Sequence, residues 1–365
     1  TFVENKIVVH RVGRNPNRYS AQARIDYSLE ALVLLRRLAR DSLPDVIDAP
    51  LFGGEPSIPL VAHVAPNVTT VFGLHLDSLR IGNASGSNRI FLSGLSFIEP
   101  SLLQLSDAVV VTTNAARARL IDSFGVKPQS VKVVPPSIDL RIFRRQTSDV
   151  RTKLSIDKEA FLLLGVGRLE MNKGFDILLH AIAMSVQKSP RVMALLIGRD
   201  TPNSLGGGSY ASYLKTLAVS LGISQRIRYV ESVPNNKMAL YYSACDAFVL
   251  PSRNDDSPRV VLEAMACEKP VIVSKLPFTR ELPHSATIYE VSVSSAEDLA
   301  EAIVDVTQQS RKEFPENRAA VEKEYSEATR IDKMLRVYSH LADSQSCGSK
   351  SSLSLRYQHN SRWRI

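Results

Sequence analysis

The stretch PSRNDDSPRVVLEAMACEKPVI, residues 251–272, decides the fold. Just before it, AFVL (247–250) is an apolar run of the length of a short buried strand, and Pro251, Ser252, Asn254 and Asp255 bring turn chemistry to its carboxyl end. Ser257 is a good N-cap. Pro258 suits a first helical position, where its missing N–H would be unpaired anyway, and VVLEAMA continues with helical periodicity. The spacing predicts a helix from residue 258 onward. The free amides of Arg259, Val260 and Val261 then point out of its N-terminus, where unpaired donors and the helix dipole favour an anion such as a diphosphate. Glu263, one turn further in, is placed to accept two hydrogen bonds from a vicinal diol such as a ribose, and Asp255 stays free in the loop for whatever the diphosphate carries. An ordinary strand, turn and amphipathic helix with solvated acids fits this stretch equally well, so the rest of the chain must decide.

Upstream, strand-like and helix-like runs alternate: AFLLLGV (160–166), FDILLHAIAMSVQ (175–187), VMALLIG (192–198), SYLKTLAVSLG (212–222), RIRYVES (226–232) and MALYYSAC (238–245). This is the pattern of a doubly wound α/β domain, whose ligands bind outside the carboxyl ends of the strands. The first half alternates too, with KIVVHRV, DVIDA, TTVFGLH, DAVVVTT and KVVP as strands and SLEALVLLRRLARDS as a helix. The polar segment TSDVRTKLSIDKE reads as a linker, which sets a boundary near residue 150. The expected organisation is a first α/β domain over 1–150, a second over 151–320, an amphipathic terminal helix over 321–344 and a Ser-rich, basic, aperiodic tail over 345–365, expected to be disordered.

GVGRLEMNKGFDILLHA (165–181) places Arg168 and Lys173 in one Gly-containing loop between a strand and a helix. A guanidinium can fork onto two phosphate oxygens while an ammonium acts as a point charge, and both offset negative charge on a leaving diphosphate. Surface ion pairs are the plain reading of either residue alone.

Asp255-x7-Glu263 followed by AMAC and PVI resembles the Glu-x7-Glu region of the retaining glycosyltransferases of family 4, and residues 165–174 match that family's GxGRLxxxKG motif over its whole length. The resemblance covers most of 130–342 and, more loosely, 1–130. It implies a GT-B fold, two Rossmann-like doubly wound domains facing a cleft, with the last helix packing back on the first domain. It implies a retaining hexosyltransferase that moves a sugar from a nucleotide diphosphate donor to a saccharide or lipid-linked acceptor. By resemblance, Arg168, Lys173 and the 259–261 amides hold the diphosphate, Glu263 the ribose and Asp255 the sugar hydroxyls. Val230 and Glu231 border the base and His75 faces the donor sugar; a strand-end His is as often structural. Glu99 is read as support for its helix more than as an acceptor contact. Asp255 replaces the usual Glu, shortening its reach, and Glu268 stands where Gly is usual. The resemblance also places a strand and Gly-rich loop ahead of the segment that opens at Thr1, so the first domain is expected to be incomplete, through truncation more than through loss.

With 44% hydrophobic residues the chain can bury large cores, and three cysteines are too few and too scattered for a disulfide framework or zinc site. No apolar run approaches a membrane span, and a cytoplasmic protein is expected. The net charge of +8 is uneven: residues 1–150 carry 17 basic and 13 acidic side chains, which suits an acidic acceptor or peripheral contact with an anionic membrane, although a solvated face is the plainer account. There is no nucleic-acid-binding motif. No GxGxxG fingerprint for NAD and no pyridoxal lysine signature is present, so no cofactor is expected. Ser257 breaks the Asp-x-Asp spacing that Asp255-Asp256 would need to bind manganese, and no metal is expected. The rival reading is a nucleotide-sugar-binding protein, or inactive remnant, without catalysis.

Overall fold

The computed structural model describes residues 2–4, 7–10, 21–51, 62, 64–72, 86–201, 208–309 and 313–348. They form two compact units, one from the described residues up to 72, from 86–134 and from 331 onward, the other from 135–330. The chain changes unit at 134/135, earlier than the polar linker predicts, because Ile138 and Phe143 are buried in the second unit's core.

The first unit opens with β1 (Phe2–Glu4) and β2 (Ile7–Val9), paired antiparallel as a separate two-stranded sheet. KIVVHRV was expected to join an α/β alternation, but two residues of connection permit an antiparallel pair, whereas a parallel one needs a crossover. After α1 (Ala21–Asp41) come β3 (Ile47–Pro50), β4 (Asn67–Thr70), α2 (Gly86–Leu105), β5 (Ala108–Val111), α3 (Asn114–Phe124) and β6 (Val131–Val133). The four strands make a parallel sheet in the order β3-β4-β5-β6. β4 and β5 are buried at every position, the signature of parallel strands covered on both faces. β4 lies earlier than TTVFGLH predicts, because buried Asn67 is satisfied by Asp107 Oδ2 (2.8 Å) and Ser106 Oγ (3.4 Å) and so can begin the strand.

In the second unit, α4 (Val150–Lys153), β7 (Phe161–Val166), α5 (Phe175–Ser185), β8 (Val192–Ile197), α6 (Tyr210–Ser220), β9 (Ile227–Val230), α7 (Met238–Ala244), β10 (Ala247–Leu250), α8 (Arg259–Ala266), β11 (Val271–Ser274), β12 (Ile288–Val291), α9 (Ala296–Gln308) and α10 (Pro315–Glu324) follow in turn. All six strands are parallel, in the order β12-β11-β10-β7-β8-β9. Side chains alternate between two cores. Leu162, Leu164, Phe248 and Leu250 face Tyr242 of α7 and Val261 of α8, while Leu163, Ala247 and Val249 face Leu178 of α5 and Ile303 of α9.

The terminal amphipathic stretch is two helices, α10 and then α11 (Glu327–Gly348). From residue 331 α11 belongs to the first unit, where Met334 and Val337 pack with Val68, Val110 and Val134, and the Tyr338 hydroxyl donates to Asp48 Oδ2 (2.6 Å). The helix runs four residues into the segment expected to be disordered; residues 349–365 lie outside the described part. Among the described residues no helix is long and apolar enough to cross a membrane.

α8 closes with a Schellman turn: the Glu268 N–H donates to Met265 O (2.9 Å) and the Lys269 N–H to Ala264 O (3.1 Å), with Glu268 at φ +61. A side chain in this left-handed position is strained. Glu268→Gly is therefore expected to stabilise the second unit by about 1 kcal/mol, net of the added freedom of the unfolded chain, as read by urea unfolding.

Candidate active site

β7 and β10 are neighbours at the middle of the sheet, with Leu163 opposite Ala247 and Leu164 opposite Phe248. From β7 the chain winds outward to β8 and β9, then returns to β10 on the other side, so the loops leaving the two carboxyl ends part at a switch point where such sheets bind ligands. The loops are tied to each other. Arg253 N–H donates to Asn172 O (2.8 Å) and Asn172 Nδ2 to Asn254 O (2.8 Å). Gly174, at φ +67, lets the first loop turn hard against Pro251 at the start of the second. A recess lined by Glu159, Arg191 and Arg226 lies at the amino ends of the strands, the wrong edge of the sheet for this chemistry.

Lys173 Nζ stands 2.7 Å from Asp255 Oδ2, which also accepts from Ser252 Oγ at 3.1 Å. Both charges are about five-sixths buried, at 16% and 15% exposure, so each would be costly without the other. Asp255, expected to be free in its loop, is thus held by two partners. Arg168 is open to solvent and its Nη2 lies 3.0 Å from Glu170 Oε1. The approach is too oblique for a hydrogen bond, so neither oxygen of the fully buried Glu170 has a hydrogen-bond partner among the described residues. Burial raises the Glu170 carboxyl above its usual range, with Arg168 and Lys173 pulling it back and Asp255 adding to the rise.

A carboxyl raised in the folded state contributes stability that is complete below its unfolded value, near 4.5, and is lost as the pH rises through the folded value. Glu170→Gln is expected to gain on the wild type in thermal midpoint as the pH goes from 4.5 to 7. A difference independent of pH would show that Glu170 does not titrate with folding.

α8 starts one residue later than predicted. Pro258, at φ −73 and ψ 104, is the N-cap itself, and Ser257 does not cap. Proline's ring fixes φ alone, and ψ decides whether the residue stands inside or outside the helix. The Val261 N–H is consumed by Pro258 O (3.1 Å), so Arg259 and Val260 keep the outward amides of the predicted three. Glu263 is buried and its Oε2 accepts from the Tyr242 hydroxyl (2.9 Å). Burial raises this carboxyl, against the Tyr242 hydrogen bond and the Arg259 charge. Val230 ends β9, and its carbonyl accepts from Gly198 N–H (3.0 Å), beside exposed Glu231. His75 lies outside the described residues. In the first unit Glu99 is buried in α2, and Thr113 Oγ1 caps α3 through Ala116 N–H (3.1 Å).

The structure thus sets Lys173 against Asp255, with Arg168 in the loop of the first and α8 following the loop of the second, and ties Glu263 to Tyr242. Sequence reasoning missed Glu170, Tyr242, Arg253 and Asp176. A carboxylate in the first turn of an otherwise apolar helix, as at Asp176, was the one available signal.

Two parallel-sheet α/β units, the second with a basic loop and an acidic loop at its switch point, define the Rossmann-like architecture of GT-B glycosyltransferases. The family described as "Glycosyl transferases group 1" matches residues 146–325, and "Glycosyltransferase Family 4" matches residues 2–142. The chain belongs to the group 1, family 4 glycosyltransferases. It is similar to the D-inositol 3-phosphate glycosyltransferase of Streptosporangium roseum, 34% identical over 49% of this chain and 41% of that protein. The Frankia alni protein of the same name is 33% identical over 48% of this chain and 44% of its own length. The matched region thus spans less than half of these curated relatives. In fold it is similar to sucrose-phosphate synthase from Thermosynechococcus elongatus, at TM-score 0.74 and 21% identity over 91% of this chain and 81% of that one. It is likewise similar to HepE of Anabaena, solved in complex with UDP-glucose, at TM-score 0.68 and 21% identity over 86% and 82%.

Proposed function

We propose that this chain transfers a hexose from a UDP- or GDP-linked donor to a saccharide or lipid-linked acceptor, with retention of configuration and without a metal. The observation that carries this reading is the meeting of Lys173 and Asp255, 2.7 Å apart at the carboxyl ends of adjacent strands, with Arg168 in the one loop and the start of α8 following the other. Arg168, Lys173 and the amides of Arg259 and Val260 receive the diphosphate, Glu263 the ribose, and Val230 and Glu231 flank the base. The cations supply the charge that a metal would otherwise bring. Asp255 takes the sugar hydroxyls, and His75 is assigned to the same sugar. The bond from the sugar's anomeric carbon to the diphosphate breaks as the bond to the acceptor oxygen forms on the same face. The acceptor's proton passes to the departing phosphate oxygen, so no separate base is required. The basic excess in residues 1–150 fits an acidic acceptor or one presented at an anionic membrane surface.

Titration calorimetry with UDP and GDP, joined to a donor-hydrolysis assay with and without EDTA, tests the reading. Binding of one nucleotide with EDTA-insensitive turnover is expected; activity restored only by manganese would overturn the metal-free part. The hold of Lys173 and Ser252 on Asp255 favours a second reading, a nucleotide-sugar-binding protein, which binding without turnover on any acceptor would support.

A further inference from the structure

One fully buried hydroxyl ties the start of α6 to the elements that carry the candidate site. Tyr210, the first residue of α6, donates to Asp176 Oδ1 at 2.6 Å and accepts from the Asp176 N–H at 3.2 Å. Asp176, in the first turn of α5, also receives both arms of the Arg253 guanidinium, at 2.9 Å on Oδ1 and 2.7 Å on Oδ2. Arg253 donates in addition to the Met171 carbonyl, and the next residue of α6, Ala211, donates its N–H to Asp200 Oδ1 at 2.9 Å. One carboxylate, 8% exposed, at the start of α5 therefore collects groups from the start of α6 and from the loop that leaves β10. The hydrogen bonds from Arg253 and Tyr210 hold its carboxyl below the ordinary range against the effect of burial.

With Asp176 buried and Arg253 half-buried, this ion pair is a poor device for stability alone, since apolar packing of the same volume serves as well. Two parallel N–H···O bonds add direction, because they fix an angle as well as a distance. That direction bears on the candidate site. Arg253 lies two residues before Asp255, and its N–H is bonded to Asn172, the neighbour of Lys173.

We propose that Asp176, Arg253 and Tyr210 are positioning residues for the binding of a nucleoside diphosphate: they set where Lys173 and Asp255 stand, and they couple that placement to the start of α6. The proposal rests on the donor-site reading above. The test uses the full chain with Tyr210→Phe and Arg253→Lys, reading UDP affinity by calorimetry, amide hydrogen exchange in residues 168–174 and 251–258, and the thermal midpoint. Both variants are expected to fold, to bind UDP about tenfold more weakly, and to exchange faster in the two loops while β7 and β8 keep wild-type rates. Arg253→Lys, which keeps the charge and loses the fork, should show the larger effect. Unchanged affinity and loop exchange in folded variants, or faster exchange spread evenly over the sheet, would overturn the proposal by marking the network as ordinary core. Should the wild type bind neither UDP nor GDP, the donor-site reading falls, and the loop exchange alone decides whether the network positions the loops.

Discussion

Gly174→Ala should cost the second unit about 3–5 kcal/mol and abolish UDP binding, which puts it among the most damaging single substitutions in this chain. Two effects add. At φ +67 any side chain pays for left-handed backbone, about 1–2 kcal/mol. A Cβ there would also stand 2.0 Å from the Pro251 carbonyl oxygen and 3.0 Å from its carbon. Those are main-chain atoms and cannot swing aside as a side chain would. Pro251 follows β10 directly and opens the loop that carries Asp255, so relief of the clash moves that loop away from Lys173. Equilibrium urea unfolding reads the first effect and calorimetry with UDP the second. A loss under about 1 kcal/mol would mean that the two loops are far more compliant than their hydrogen bonds imply.

Lys173→Ala should lower turnover by about 10²–10³-fold, the usual cost of removing one group that stabilises charge in a transition state. The pairing with Asp255 adds a second expectation. Removing the ammonium leaves a carboxylate at 15% exposure without its cation, so the single variant should also lose stability. Asp255→Asn in the same chain removes the stranded charge. The double variant is expected to recover most of the stability and none of the turnover, and this separates the chemical role from the structural one. Turnover within twofold of wild type in Lys173→Ala would remove the residue from the donor site.

The parts legible in the sequence were those written in contiguous residues. FLLLGV, VMALLI and AFVL announce buried parallel strands, and the Gly-containing turn after the first places two cations in one loop. What escaped depends on partners remote along the chain. Arg253 and Asp176, 77 positions apart, read singly as solvated charges and form a half-buried pair in the fold. Glu170 occupies an unremarked place in its motif and is the most thoroughly buried acid of the site. The start of α8 was misplaced by one residue because proline fits either side of a helix boundary, and the number of outward amides fell from three to two with it. In the first unit, β4 begins at Asn67, a polar residue whose burial depends on Ser106 and Asp107 about forty positions later.

The adjacency of β7 and β10 also carries a consequence for biosynthesis. Lys173 meets Asp255 across 82 positions, with α5, β8, α6, β9, α7 and β10 laid down in between. At about 5–20 residues per second, a ribosome needs on the order of ten seconds to deliver the second loop after the first. Through that interval the β10-facing edge of β7, one of the most apolar strands in the unit, has no neighbour and is a place where nascent chains can pair wrongly. A product interrupted anywhere between 175 and 246 keeps Lys173 and lacks Asp255, the carboxylate it meets in the finished fold.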